Sequence, residues 1–106
     1  MKILLAEDEP MIRSFVSAVL EGHSIVETSN GAEAFEAFKR EPFDLVITDI
    51  QMPVMSGFEL QTKIHEINPK QKIIGMSGTD MLKGVNGFLR KPFMSEDLIK
   101  AVEAIK

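Results

Sequence analysis

Several things are missing from this 106-residue sequence, and each absence excludes a class of function. It contains no cysteine, so disulfides and thiol chemistry are excluded, as fits a cytoplasmic protein. No apolar run approaches the roughly 20 residues of a membrane span, and the N-terminal apolar stretch is too short for a signal peptide. The formal net charge of −4 argues against nucleic-acid binding, which requires a basic patch. Direct contact with membranes or nucleic acids is therefore not expected.

What remains has the composition of one ordinary domain. Hydrophobic residues make up 44% of the chain and charged residues 26%, which suffices for one compact core. The sequence has no internal repeat, low-complexity tract or linker. A single domain covering residues 1–106 is therefore predicted.

Short apolar runs alternate with segments of helical periodicity along the chain. The run 45–47 is apolar without alternation and ends at Thr48-Asp49, which indicates a strand buried on both faces, as in a parallel sheet. Pro10 is placed to begin a helix, and Ser95 is predicted to cap the last one. The predicted strands are 3–6, 24–28, 45–49, 72–77 and 88–89, and the first helix is predicted to bury Ile12, Phe15, Val16, Val19 and Leu20. Alternating strands and helices predict a doubly wound α/β fold with five parallel strands.

Polar side chains follow four of the predicted strands at the points where they end. In open α/β sheets, ligands bind beyond the carboxyl ends of the strands. The residues at these ends are Glu7 and Asp8, Asp49, Ser77, and Lys91. Four separate segments of the chain are therefore expected to meet at one site.

The three acids of this set predict a metal site. Carboxylates that lie together repel one another, and a cation between them relieves the repulsion. Because the ligands are oxygens, with no histidine or cysteine among them, Mg²⁺ is the expected ion. A carboxylate such as that of Asp49 can attack phosphorus and form an aspartyl phosphate. The Lys91 ammonium and the Ser77 hydroxyl would then neutralise and orient the phosphoryl oxygens.

The sequence resembles the receiver domains of two-component response regulators, and the resemblance covers nearly the whole chain. The four matching segments occur in the family's order, each at the end of a strand. They are Leu5-Ala6-Glu7-Asp8-Glu9-Pro10, Asp49-Ile50-Gln51-Met52-Pro53 with Gly57, Ser77-Gly78, and Phe88-Leu89-Arg90-Lys91-Pro92-Phe93.

The resemblance implies a fold, a function and partners. The fold would be flavodoxin-like and similar to that of chemotaxis regulators, with strand order 2-1-3-4-5. The function would be signalling rather than enzymatic: Asp49 would receive a phosphoryl group from a histidine kinase or a histidine phosphotransfer protein. Phosphorylation would then change binding to an output domain or a downstream protein.

The resemblance also implies a role for each site residue. Asp8, Asp49 and the carbonyl of Gln51 would bind Mg²⁺ directly, with Glu7 acting through a bound water. A cis Lys91–Pro92 bond would direct the lysine into the site. Ser77 and Phe88 would move together as the switch, although Phe88 is also readable as an ordinary core aromatic. Thr79 and Gln51 would flank the site as accessory positions that tune the phosphate lifetime.

One segment departs from the family's pattern. Only nine residues, 78–86, separate Ser77 from the fifth strand, whereas a parallel crossover with its helix takes at least roughly 10 to 12. The helix between the fourth and fifth strands is therefore predicted to be about one turn long or replaced by a loop. A face that family members often use for dimerisation or output would be remodelled.

Two alternative functions stay open at this stage. A Mg²⁺-dependent phosphatase with an aspartyl nucleophile generally has a second acid two residues later, where this chain has Gln51. A pseudo-receiver, which docks to partners without being phosphorylated, is disfavoured by the intact acids, Ser77 and Lys91. The short 78–86 crossover keeps that docking alternative open.

Overall fold

Five parallel strands form a single sheet in the computed structural model, which describes residues 1–79 and 81–105. The spatial order is β2-β1-β3-β4-β5, so the predicted doubly wound fold and its strand order are confirmed. The strands are β1 (Lys2–Ala6), β2 (Ser24–Thr28), β3 (Leu45–Asp49), β4 (Ile73–Ser77) and β5 (Gly87–Arg90). The predicted domain, 1–106, includes Asp80 and Lys106, which lie outside the described residues.

Four helices connect or follow these strands. They are α1 (Pro10–Val19), α2 (Gly31–Arg40), α3 (Gly57–Ile67) and α4 (Ser95–Glu103). The side chains of Asn30 and Ser56 cap α2 and α3 by accepting hydrogen bonds from the backbone N–H groups three residues on, at 2.8 and 3.2 Å. Across 1–79 and 81–105, every helix is too short or too polar to cross a membrane.

The predicted cap of the last helix is wrong by one residue. Met94 occupies the N-cap position, and Ser95 is the first helical residue. The Asp97 carboxylate accepts a hydrogen bond from the Met94 backbone N–H at 2.9 Å. The side chain at the third helical position thus satisfies the backbone donor of the N-cap residue.

The core lies on both faces of the sheet because successive strand residues point to opposite sides. In β1, Ile3 and Leu5 pack on the side covered by α1 and α4, while Leu4 and Ala6 pack on the side covered by α2 and α3. All four are fully buried. Phe15, predicted to be buried, is instead 39% exposed and lies against the ring of Phe93 with the ring centroids 6.1 Å apart.

The crossover from β4 to β5 contains no helix in its described residues, 78–79 and 81–86, which confirms the predicted loss. Residues 81–86 form a short segment that we call the strap. Leu82 of the strap is 2% exposed and lies over Gly75, where a Cβ would come within 3.3 Å of the leucine side chain. Gln61 Nε2 of α3 donates to the Lys83 carbonyl at 2.7 Å. One buried leucine thus covers part of β4 in place of a helix.

Candidate functional site

The carboxyl ends of the central strands converge on one cleft. Because β1, β3, β4 and β5 are neighbours and run in parallel, the residues that follow them reach the same edge of the sheet. The cleft has a volume of about 230 Å³. Its lining residues are Asp8, Glu9, Asp49, Gln51, Ser77, Gly78, Thr79 and Lys91.

Three carboxylates lie together beside this cleft. Glu7, Asp8 and Asp49 each offer one oxygen, and these oxygens lie within 4.8 Å of one another. Glu7 is fully buried and Asp49 is 5% exposed, while Asp8 is half-buried. The ligand set consists of hard oxygen donors with excess negative charge, which fits Mg²⁺.

Lys91 joins two of the three acids. Its Nζ donates to Glu7 Oε1 at 2.9 Å and to Asp49 Oδ2 at 3.1 Å. It also lies 4.0 Å from Glu9 Oε1, whose side chain is largely exposed. The Lys91–Pro92 bond is cis, as predicted. The lysine therefore shares its single positive charge between the two buried carboxylates and holds them close together.

Burial and charge shift the pKa values of all three groups in this ion pair network. Burial raises the pKa of Glu7 to about 7, although the hydrogen bonds from Lys91 and from the Glu9 backbone oppose the rise. Burial also raises the pKa of Asp49, against the opposing effect of Lys91. Burial alone would lower the pKa of Lys91, but its contacts with Glu7 and Asp49 raise it overall. The acids compete for one cation, and a second cation would be favoured at this site.

The polar residues after β3 and β4 line the same cleft. Ser77 is 2% exposed, and its Oγ accepts a hydrogen bond from the Thr79 backbone N–H at 3.1 Å. The Gln51 backbone N–H lies 3.4 Å from Asp49 Oδ1. Gly57 is required here because a Cβ would come within 2.3 Å of the Asp49 carbonyl oxygen. The structure thus brings Ser77, Thr79 and Gln51 to Asp49.

Three of the predicted residues lie outside the cleft lining: Glu7, which is buried beside the cleft, Phe88 and Pro92. Phe88 is half-buried on β5 and shares the space beside Gly75 with Leu82. Its switching role stays a prediction. Pro92 lines a neighbouring apolar groove of about 380 Å³ together with Ile12, Phe15 and Phe93.

Sequence reasoning did not identify an arginine of α1 that contacts the site. Arg13 of α1 donates from Nη1 to the Glu7 carbonyl oxygen at 2.7 Å. In the sequence it is a single arginine in an amphipathic helix, and its spacing does not distinguish it from a solvent-exposed residue. Only the packing of α1 against the end of β1 reveals the contact.

Comparisons with known proteins agree with this geometry. Residues 3–103 match the family model described as the response regulator receiver domain. The response regulator receiver protein CpdR of Brucella abortus is 38% identical, with 96% of this chain and 93% of CpdR covered. The autoinducer 1 sensor kinase/phosphatase LuxN of Vibrio campbellii is 35% identical over 85% of this chain, which spans only 12% of LuxN.

Solved structures of similar proteins have the same fold. The chemotaxis protein CheY4 of Vibrio cholerae superposes with a TM-score of 0.92 at 28% identity, covering 99% of this chain and 98% of that one. The response regulator TrrA of Thermotoga maritima, solved in complex with Mg²⁺-BeF, has a TM-score of 0.90 at 31% identity. The superposition covers 99% of this chain and 98% of TrrA.

Proposed function

The chain belongs to the response regulator receiver domain family of two-component signalling, and we propose that it is a switch phosphorylated on Asp49. The observation that supports this best is the position of that residue. Its carboxylate is buried at the end of β3, clustered with Glu7 and Asp8, and hydrogen bonded to Lys91 at 3.1 Å. A histidine kinase or a histidine phosphotransfer protein would be the donor.

The proposed reaction transfers a phosphoryl group from a histidine nitrogen to an aspartate oxygen. A bond forms between Asp49 and phosphorus while the phosphorus–nitrogen bond breaks, and its electron pair stays on the imidazole. Asp8, Asp49 and the Gln51 carbonyl would hold Mg²⁺, with Glu7 acting through water. The ion supplies charge neutralisation for the phosphoryl oxygens. That TrrA was solved in complex with Mg²⁺-BeF supports Mg²⁺ as the ion.

Residues of the chain itself would do the remaining work. Lys91 already contacts the acceptor carboxylate and is positioned to stabilise negative charge on the transferred group. The Ser77 hydroxyl lines the same cleft and would donate to a phosphoryl oxygen. Thr79 and Gln51 flank the acceptor and would tune access of the hydrolytic water.

The signal would be a change in partner affinity. Movement of Ser77 toward the phosphoryl group, with a matching movement of Phe88, would alter the surface around β4 and β5. The partner is an output domain or a downstream protein. A cytoplasmic location is part of the proposal, and the cysteine-free composition fits it. The domain is proposed to extend over residues 1–106.

A phosphorylation-independent docking module is the second candidate. The observation that favours it is the helix-free crossover, because Leu82 of the strap shares the space beside Gly75 with Phe88. A strap packed in this way would hinder movement of the aromatic ring. Some full-length relatives are enzymes, such as a protein-glutamate methylesterase of which this chain spans 30%. That activity is not carried over to this chain.

Intact-mass measurement after incubation with Mg²⁺ and acetyl phosphate tests the proposal. We expect the gain of one phosphoryl group in the wild type and none in Asp49→Asn. Asp44→Asn is the matched control, since Asp44 directly precedes β3 at its opposite end and should leave the gain intact. Absence of the adduct with any donor, together with absence of Mg²⁺ binding, would favour the docking module. Steady hydrolysis of an unrelated phosphoester would favour an enzyme.

A further inference from the structure

Arg13 connects three parts of the protein at the edge of the proposed metal site. Its Nη1 donates to the Glu7 carbonyl oxygen at 2.7 Å. Its Nε lies 3.6 Å from Glu27 Oε1 on β2, and Ser17 Oγ of α1 donates to the other oxygen of Glu27 at 2.9 Å. The guanidinium thus ties the backbone after β1 to both α1 and β2.

Glu7, the first acid after β1, is held at every polar position. Its Oε1 accepts from Lys91 and its Oε2 from the Glu9 backbone N–H at 3.1 Å. Its own backbone N–H donates to the Thr28 carbonyl at 3.1 Å, and its carbonyl accepts from Arg13. This residue therefore has little freedom to move.

Asp8, the second acid, is held very differently. Within residues 1–79 and 81–105, no side chain or backbone group donates a hydrogen bond to its carboxylate, and no cation pairs with it. Its direction therefore depends on the backbone that carries it. That backbone includes the peptide unit between Glu7 and Asp8, which is planar and rigid. Fixing the Glu7 carbonyl consequently fixes the amide from which Asp8 begins.

From these contacts we infer that Arg13 is a positioning residue for Mg²⁺, because it orients the Asp8 carboxylate through the Glu7–Asp8 peptide unit. The inference rests on the metal site of the proposed function and adds a residue to it that does not touch the ion. Outer residues that orient metal ligands typically affect affinity by about 10- to 100-fold. Since Arg13 orients one ligand and acts through the backbone, we expect its loss to weaken Mg²⁺ binding by about tenfold.

Electrostatic repulsion and ligand positioning predict opposite changes in Mg²⁺ affinity when Arg13 is replaced. A cationic guanidinium close to a cation site repels the ion, so removing it should tighten Mg²⁺ binding if charge alone acted. Loss of the carbonyl contact should loosen Asp8 and weaken binding. The sign of the change therefore separates positioning from simple electrostatics.

Isothermal titration of the unphosphorylated protein with Mg²⁺ tests the inference. We expect Arg13→Met to raise the dissociation constant about tenfold. Arg13→Lys, which retains the charge and one donor group, should give an intermediate value. Ser17→Ala is the matched control, because the Ser17 hydroxyl donates to the oxygen of Glu27 that lies away from Arg13. This variant should bind Mg²⁺ like the wild type. Urea unfolding in the presence of a chelator measures the stability of each variant separately.

Three results would overturn the inference. If Arg13→Met is stable and binds Mg²⁺ as tightly as the wild type, or more tightly, Arg13 has only a structural or an electrostatic role. If Arg13→Met does not fold, Arg13→Lys decides, and an unchanged dissociation constant in that variant refutes positioning. Failure of the wild type itself to bind Mg²⁺ removes the site and the proposed function with it. If either of the first two results occurs while intact mass still shows the Asp49 adduct, this inference is refuted and the proposed function is retained.

Discussion

Replacement of Leu82 by alanine tests whether the strap stabilises the fold as a substitute for the missing helix. Leu82 is 2% exposed and packs over Gly75, where a Cβ would lie 3.3 Å from its side chain. Removing three carbon atoms from a buried position costs about 2 to 2.5 kcal/mol in transfer free energy, at about 0.8 kcal/mol per methylene. The cavity left behind adds to this cost.

The cavity contribution should be modest because the strap lies at the surface and can relax toward β4. One side of the strap is held by the Gln61 hydrogen bond to the Lys83 carbonyl at 2.7 Å, which limits that relaxation. We therefore expect Leu82→Ala to lower the free energy of unfolding by about 3 kcal/mol, within the usual range of about 2 to 5 for buried leucines. A loss of this size is a large fraction of the total stability of a small domain.

Urea unfolding followed by far-UV circular dichroism is the suitable assay, since the chain has no tryptophan or tyrosine to report by fluorescence. Met81→Ala is the matched control: it changes the neighbouring residue, which is 60% exposed, and should alter stability by less than about 0.5 kcal/mol. Equal effects of the two substitutions would refute the reasoning, because the strap would then not be packed on the sheet through Leu82.

Two further predictions concern the metal-free protein. Because the pKa of Glu7 is about 7 when folded and near 4.5 when unfolded, the folded state keeps a proton that the unfolded state loses between these values. The contribution of Glu7 to stability should therefore be largest below about pH 4.5 and fall as the pH rises through 7. Between pH 5 and 8, urea unfolding should show the wild type losing about 2 to 3 kcal/mol relative to Glu7→Gln. Parallel pH profiles would contradict the burial effect. Val54 has φ +71° and is 80% exposed, and a β-branched residue in the left-handed region is strained. Val54→Asn should raise the free energy of unfolding by about 1 kcal/mol. Val54→Ile is the control and should leave it unchanged. If both variants have the free energy of unfolding of the wild type, the strain argument fails.

Much of the fold could be predicted because its signals are local in the chain. The apolar run 45–47 and the polar residues at the ends of the strands predicted a parallel sheet and one site at its carboxyl edge. The nine-residue spacing between Ser77 and β5 was sufficient to predict the missing helix, since chain length limits what a crossover can contain. Errors arose where a local pattern admits two outcomes. Phe15 fits the helical stripe, yet it lies at the stripe's edge and packs against Phe93 at the surface.

By itself, the sequence determined which residues could meet at the site, because alternating strands and helices imply a parallel sheet, and the carboxyl ends of its strands lie at one edge. The tertiary structure alone decided how these residues are held. Lys91 contacts Glu7, which lies 84 positions earlier in the sequence. Arg13 donates a hydrogen bond to the Glu7 carbonyl because α1 packs against the end of β1. The raised pKa of Glu7 likewise comes from burial by segments distant in the chain. Burial and hydrogen bonding depend on which segments pack together in space, and periodicity within one segment carries no information about its neighbours.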